Sequence, residues 1–171
     1  LMDIQNLGSA LGKNQLAKKI IKTFNTEIDH LNKINGNKQK HTVACIEWIE
    51  PLMYAGNWVP EIVDIAGGDD IFGLNGEHSS WSEYSTLFKK NPDKIIFMPC
   101  GYDMKKTKSE VKSLYHIKGW SELKAVKEGN TYIADGSQYF NRPGPRLLDS
   151  IKIMHDIVSD TDSYGYHGKG W

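Results

Sequence analysis

The apolar positions of the first fifth of the chain recur at helical spacing. Leu16, Ile20, Phe24, Ile28 and Leu31 fall four and three apart, with Ala17 and Ile21 beside them. That lines one stripe of a long amphipathic helix over 15–33. Lys18, Lys19, Lys22, Glu27 and Asp29 fall largely on its other side, as a solvated face. A shorter helical lead over 1–11 is broken by Gly12, and Asn14 is a candidate N-cap for the long helix. The Asn/Gly/Lys run 35–40 closes it as a loop.

From residue 42 the pattern changes to short apolar runs alternating with short helices. Residues 42–48 read as a strand, 71–74 as a weak strand or turn, 95–98 as a buried parallel strand and 131–134 as a last strand. Pro60 suits the first turn of a helix that Gly67 and Gly68 stop. Ser79 to Ser82 offer N-caps for a helix through Tyr84, Leu87 and Phe88. A charged helix is predicted over 105–114, and Pro145 can start a final one with Leu147, Leu148, Ile151, Met154 and Val158 inward. The segment 159–171 has no periodicity and is expected to be loosely ordered.

This order predicts an α/β fold: a mostly parallel sheet flanked by helices and preceded by a long helix. The domain reading is 1–40 as helical lead and long helix, 41–158 as the α/β lobe, and 159–171 as a tail. In such a sheet the loops after the strands share one edge, where open α/β sheets bind ligands. Those loops carry Trp48, Tyr54, Trp58, Tyr102, Tyr139 and Phe140, with Trp81 nearby. Aromatic walls with sparse polar groups suit a bulky, partly flat ligand. Trp48, Tyr139 and Phe140 sit beside chain breakers that hold a loop open, and read as ligand-facing. Trp58 reads equally as ligand contact or as packing, and Trp120 as packing. Arg142, between Phe140 and Pro143, could offer a planar fork to an amide, carboxylate or phosphate, or be an ordinary surface arginine.

Composition then narrows the function. The 171 residues hold 21 Lys plus Arg and 21 Asp plus Glu, so the formal net charge is zero. Nucleic acid as the main partner would call for a basic face. Mean hydropathy is −0.50, and no apolar run approaches the roughly 18 residues of a membrane span. Dinucleotide, P-loop, nucleophile-elbow and HExxH motifs are missing. The two cysteines, Cys45 and Cys100, form no CxxC pair, and the six histidines have no metal-ligand spacing. An enzyme reading would rest on Glu47 and Glu50, which flank Trp48, or on Cys100. Without a base, nucleophile or metal partner, solvated rim carboxylates are the simpler account. His78 reads more simply as a loop-capping group than as a ligand.

Four stretches carry a resemblance: ACIEWIEPLMYAGNWVPEIVDIAGG (44–68), HSSW (78–81), NPDKIIFMPCGYD (91–103) and ADGSQYFNRPGPR (134–146). In order and spacing they resemble the cobalamin-binding branch of the helical-backbone periplasmic binding proteins, which serve ABC importers of cobalamin, siderophores and haem. The resemblance extends over 1–158. It implies two lobes joined by one long helix, here 15–33, with this chain as the C-terminal lobe and the N-terminal lobe outside it. It implies a solute-binding protein rather than an enzyme, with cobalamin or a related corrinoid as ligand, no required cofactor, and haem or a ferric siderophore as the alternative.

By the same resemblance Trp48, Trp81, Tyr139, Phe140 and Arg142 take ligand-contacting positions; Trp58 and Tyr102 are candidates from their place in the rim loops alone. Some relatives have an acidic residue before the last aromatic pair; here Gln138 stands there, with Asp135 further back. Glu61 resembles the exposed glutamate that docks on the membrane permease, although a glutamate in a first helical turn is also favoured by the helix dipole. The implied location is periplasmic or extracytoplasmic, often with a lipoprotein anchor. One lobe alone is expected to bind poorly, since it offers one wall.

Overall fold

Asn14–Asn35 form one uninterrupted helix, α2, behind a shorter helix α1 (Met2–Ala10). At 1.5 Å per residue, α2 is about 33 Å long. Its stripe buries Ala17, Phe24 and Leu31, two turns apart each time. Asn14 is the first helical residue rather than the cap; its side-chain oxygen instead accepts from Ser9 Oγ at 2.9 Å, which closes the turn between the two helices. The computed structural model describes residues 1–36 and 38–171, which form two compact units, one on either side of residue 37.

The second unit is an α/β layer structure. In chain order it has β1 (Thr42–Trp48), β2 (Met53–Tyr54), α3 (Val59–Ile65), β3 (Asp69–Asp70), β4 (Ser80–Trp81), α4 (Tyr84–Lys90) and β5 (Lys94–Phe97). There follow α5 (Met104–Val111), which tightens into a 3-10 turn at Lys112–His116, then α6 (Lys124–Lys127), β6 (Thr131–Ile133), a one-turn π-helix at Gly136–Phe140, and α7 (Leu147–Ser159). The sheet runs β4-β2-β1-β5-β6, with β3 beside the start of β1. β3, β5 and β6 are parallel to the β1 direction, while β2 and β4 add an antiparallel edge.

Both sheet faces are covered, which is why the central strands read as unbroken apolar runs. Ala44, Ile46, Ile95 and Phe97 pack with Leu87, Val111, Leu114, Trp120 and Leu123. The alternate residues face α3 and α7: Lys94, on that side, sends its ammonium to Ile157 O at 3.1 Å and to Asp160 at 2.5 Å.

Two expectations change and a third is narrowed. Ser80 and Trp81 form an edge strand rather than a helix cap, and α4 begins at Tyr84. Of the weak strand or turn expected over 71–74 the chain forms the turn, and strand β3 lies just before it at Asp69–Asp70. Asp70 Oδ1 accepts from Phe72 N–H and Gly73 N–H and turns the chain away at once. The segment after Ser159 is packed rather than loose. Buried Asp156 accepts from Thr161 Oγ1 and from the N–H groups of Ser163 and Tyr164 at 2.9–3.0 Å. Gly170 O accepts from Asp135 N–H at 2.9 Å, and Trp171 stacks edge-on to Tyr132. The Asp156 bonds are made by polar groups close in the chain and the Asp135 and Tyr132 contacts by residues far along it, so no apolar periodicity announces either.

Candidate ligand-binding rim

The parallel order of β1, β5 and β6 places the ends of all three strands at one edge, and their following loops are tied together there. Cys100 N–H donates to Glu47 O at 3.1 Å, joining the β5 loop to β1. Asn141 Oδ1 accepts from Gly101 N–H at 3.2 Å and Ser137 N–H donates to Tyr102 O at 3.1 Å, joining the β6 loop to the β5 loop. The approach is close. A Cβ on Gly136 would stand 2.4 Å from Pro99 O and 2.6 Å from Met98 O, so only glycine fits.

On this edge the structure brings Trp48 and Tyr102 together, ring centroids 5.4 Å apart and tilted by 57°. Trp48 is held in place by its indole N–H, which donates to Glu50 O at 3.0 Å. Met53 stands opposite Trp48, and Trp81 opposite Met53. The pairing passes through a register shift in β1 between Ile46 and Trp48, beyond which Trp48, Met53 and Trp81 stand in one cross-strand row, its ends about 9–10 Å apart at two strand spacings. Trp81 closes the row 62% exposed. Lys106 extends the other end, its ammonium 3.6 Å from the Tyr102 ring centroid, a cation–π contact. Among the described residues that ammonium has no carboxylate partner.

Sequence reasoning passed over Met53 and Lys106. Met53 lies in a two-residue strand without alternation. The signal for Lys106 was present: Asp103 caps α5 by accepting from Lys106 N–H at 2.7 Å, and Tyr102 precedes it by one turn.

Other candidates are placed differently. Phe140 is not on the rim: it is 1% exposed, and its carbonyl accepts from Trp58 Nε1–H at 3.1 Å. The π-helix turns its side chain into the core while its neighbour Tyr139 packs edge-on to Tyr166 of the terminal segment, centroids 5.9 Å apart. Trp58 is half-buried and braces the first loop against the last. Tyr54 is buried and stacked on Phe72 at 3.8 Å. Arg142 is exposed. Asp135 is buried and bonded to Gln138 through both its backbone and side-chain nitrogens at 2.8 Å, which caps the π-helix.

Glu61 is exposed in the first turn of α3. His78 and Glu50 are exposed, and Glu47 accepts from Ser79 Oγ. Burial and the nearby Glu47 carboxylate push the Cys100 thiol above its ordinary range, away from the thiolate a nucleophile needs. No group of three or more His, Cys, Asp or Glu side chains among the described residues could hold a metal.

Residues 1–137 match the model of the periplasmic binding protein family. The chain belongs to that family. Among curated relatives of this periplasmic binding protein is the high-affinity heme uptake system protein IsdE of Staphylococcus aureus, 24% identical over 133 residues, covering 75% of this chain and 46% of that protein. The chain thus spans about half the length of the curated relatives it matches.

Solved structures share the fold. An ABC transporter substrate-binding protein from Listeria monocytogenes matches with a TM-score of 0.83 at 21% identity, over 94% of this chain and 63% of its own. S. aureus IsdE complexed with heme matches at 0.77 and 20%, over 92% and 62%. The periplasmic vitamin B12 binding protein BtuF of Vibrio cholerae matches at 0.72 and 17%, over 94% and 60%.

Proposed function

We propose that this chain supplies one wall of the ligand cleft of an ABC importer's solute-binding protein, and that the ligand is a flat tetrapyrrole-type macrocycle, a corrinoid first. The observation that carries this is the row Tyr102, Trp48, Met53 and Trp81 along the upper edge of the sheet. Polarisable aromatic and thioether groups over about 10 Å offer a face for a macrocycle rather than a pocket for a small metabolite. The wall binds and orients; no bond is made or broken. Arg142 and the loop backbone meet polar groups on the ligand's periphery. Glu61 projects from the same lobe as a docking group for a cationic patch on the permease, on the extracytoplasmic side of the membrane.

A second reading, haem or a ferric siderophore, draws on one specific observation. Lys106 places an unpaired ammonium beside Tyr102, and such a cation suits a carboxylate-bearing ligand more than an amide-bearing one. The relative named for heme uptake points the same way.

Visible-absorbance titrations of the native full-length protein with cyanocobalamin, hemin and a ferric hydroxamate separate these readings. The macrocycle proposal requires saturable binding of the first or second and a loss of roughly tenfold in Trp48→Ala. Unaltered affinity in that variant removes Trp48 from the site, and binding of the hydroxamate alone overturns the macrocycle.

A further inference from the structure

The edge of the sheet opposite β4 carries a second concavity that the aromatic rim does not use. It is a cavity of about 270 Å³ between β6 and the α5 segment. Its floor is apolar, made by Phe97, Val111 and Ile133, and its mouth carries Lys108, Lys112, Tyr115 and Thr131. The floor follows from the sheet. β6 pairs with β5 on one side only and in parallel, Ile95 opposite Thr131 and Phe97 opposite Ile133. Paired positions share a face, so Phe97, Thr131 and Ile133 all point towards α5.

The mouth carries two ammonium groups that make no ion pair among the described residues. Lys108 and Lys112 stand four residues apart, on one side of the helical segment, where like charges repel. Tyr115 is 65% exposed, and its hydroxyl has no hydrogen-bond partner among the described residues. An apolar floor beneath two free cations and a hydroxyl is complementary to an amphipathic anion. The volume sets the size. It holds about nine waters at ~30 Å³ each, room for one or two fused rings with an acid group and far too little for a macrocycle.

We propose that this cavity is a second ligand site, for a small amphipathic organic carboxylate. The apolar body lies on Phe97, Val111 and Ile133, and the carboxylate sits between Lys108 and Lys112 with the Tyr115 hydroxyl beside it. The site shares no lining residue with the aromatic rim, and the proposal does not depend on what the rim binds.

Methyl-labelled protein titrated with 1-naphthoate tests it by NMR. The expected result is saturable shifts of the Val111, Thr131 and Ile133 methyls, weakened roughly tenfold by the exposed double substitution Lys108→Ala/Lys112→Ala. Naphthalene-1-methanol, the neutral analogue, binds more weakly by a similar factor, and Trp48→Ala leaves the naphthoate titration unchanged. An unaltered spectrum outside the cavity verifies that the double variant is folded. Absence of saturable shifts, equal binding of the neutral analogue, or indifference to the double substitution each overturns the proposal.

Discussion

Trp48 and Trp81 occupy one cross-strand row, two strands apart and joined through Met53. The arrangement depends on the antiparallel edge that β2 and β4 add to a parallel sheet. If the row is the ligand face, Trp81→Ala lowers ligand affinity without lowering stability, because Trp81 is 62% exposed and contributes little packing. Parallel urea melts and absorbance titrations check this: loss of stability with unchanged affinity would place Trp81 in the fold rather than in the site.

Lys106 lies 3.6 Å from the Tyr102 ring centroid and separates the two ligand readings. Lys106→Ala is expected to weaken hemin binding roughly fivefold and to leave cyanocobalamin binding unchanged, since an exposed charge contact contributes at most about 1 kcal/mol. Raising the salt concentration should reproduce that loss in the parent protein and not in the variant.

Gly136 is where the last loop passes the β5 loop most closely. Gly136→Ala forces a methyl group against two backbone oxygens, Pro99 O and Met98 O, and neither can swing aside as a side chain could. A loss of at least about 2 kcal/mol is expected from such overpacking, measured as a lower urea midpoint at unchanged slope.

The Trp58 indole N–H bonded to Phe140 O at 3.1 Å ties the first rim loop to the last. Trp58→Phe keeps most of the ring and removes the donor. About 1 kcal/mol of stability should go with it, together with faster hydrogen exchange in the 136–142 loop.

Asp93 makes acid stability predictable. Burial pushes its carboxyl up, but the Lys124 ammonium at 2.5 Å and the Thr42 N–H and hydroxyl at 2.8 Å outweigh that and hold it at about 2. A depressed carboxylate stabilises the fold above its unfolded value of about 3.9, and that contribution fades as pH falls through about 2. Asp93→Asn should therefore be less stable by about 1–2 kcal/mol at pH 7 and lose less than the parent between pH 5 and 2. Parallel pH-stability curves for the two proteins would contradict the assignment.

Local signals were legible where the chemistry is local. The apolar stripe of α2, the β1 run, Pro60 opening α3 and Gly67 closing it (φ 91°) are matters of period and backbone freedom within a few residues. The common rim of the three loops was legible too, because parallel connection dictates it. Which aromatics reach that rim was not. Trp48 and Phe140 both sit beside breakers, yet one meets Tyr102 at the edge and the other is core.

The sequence by itself determined the α/β class, the long leading helix and the common edge of the three loops, since each follows from periodicity or handed connection. Only the tertiary structure decided the rest. It paired two-residue strands into the row from Trp48 to Trp81, and it set Lys106 over Tyr102. It turned Phe140 inward through a π-helix and closed the last thirteen residues onto Asp156 and Asp135. The cross-strand row and the Asp135–Gly170 bond join residues far apart in the chain, whose stabilisation exists only once the sheet has brought them together, whereas the Lys106–Tyr102 and Asp156 contacts are local but polar and leave no mark on the apolar periodicity.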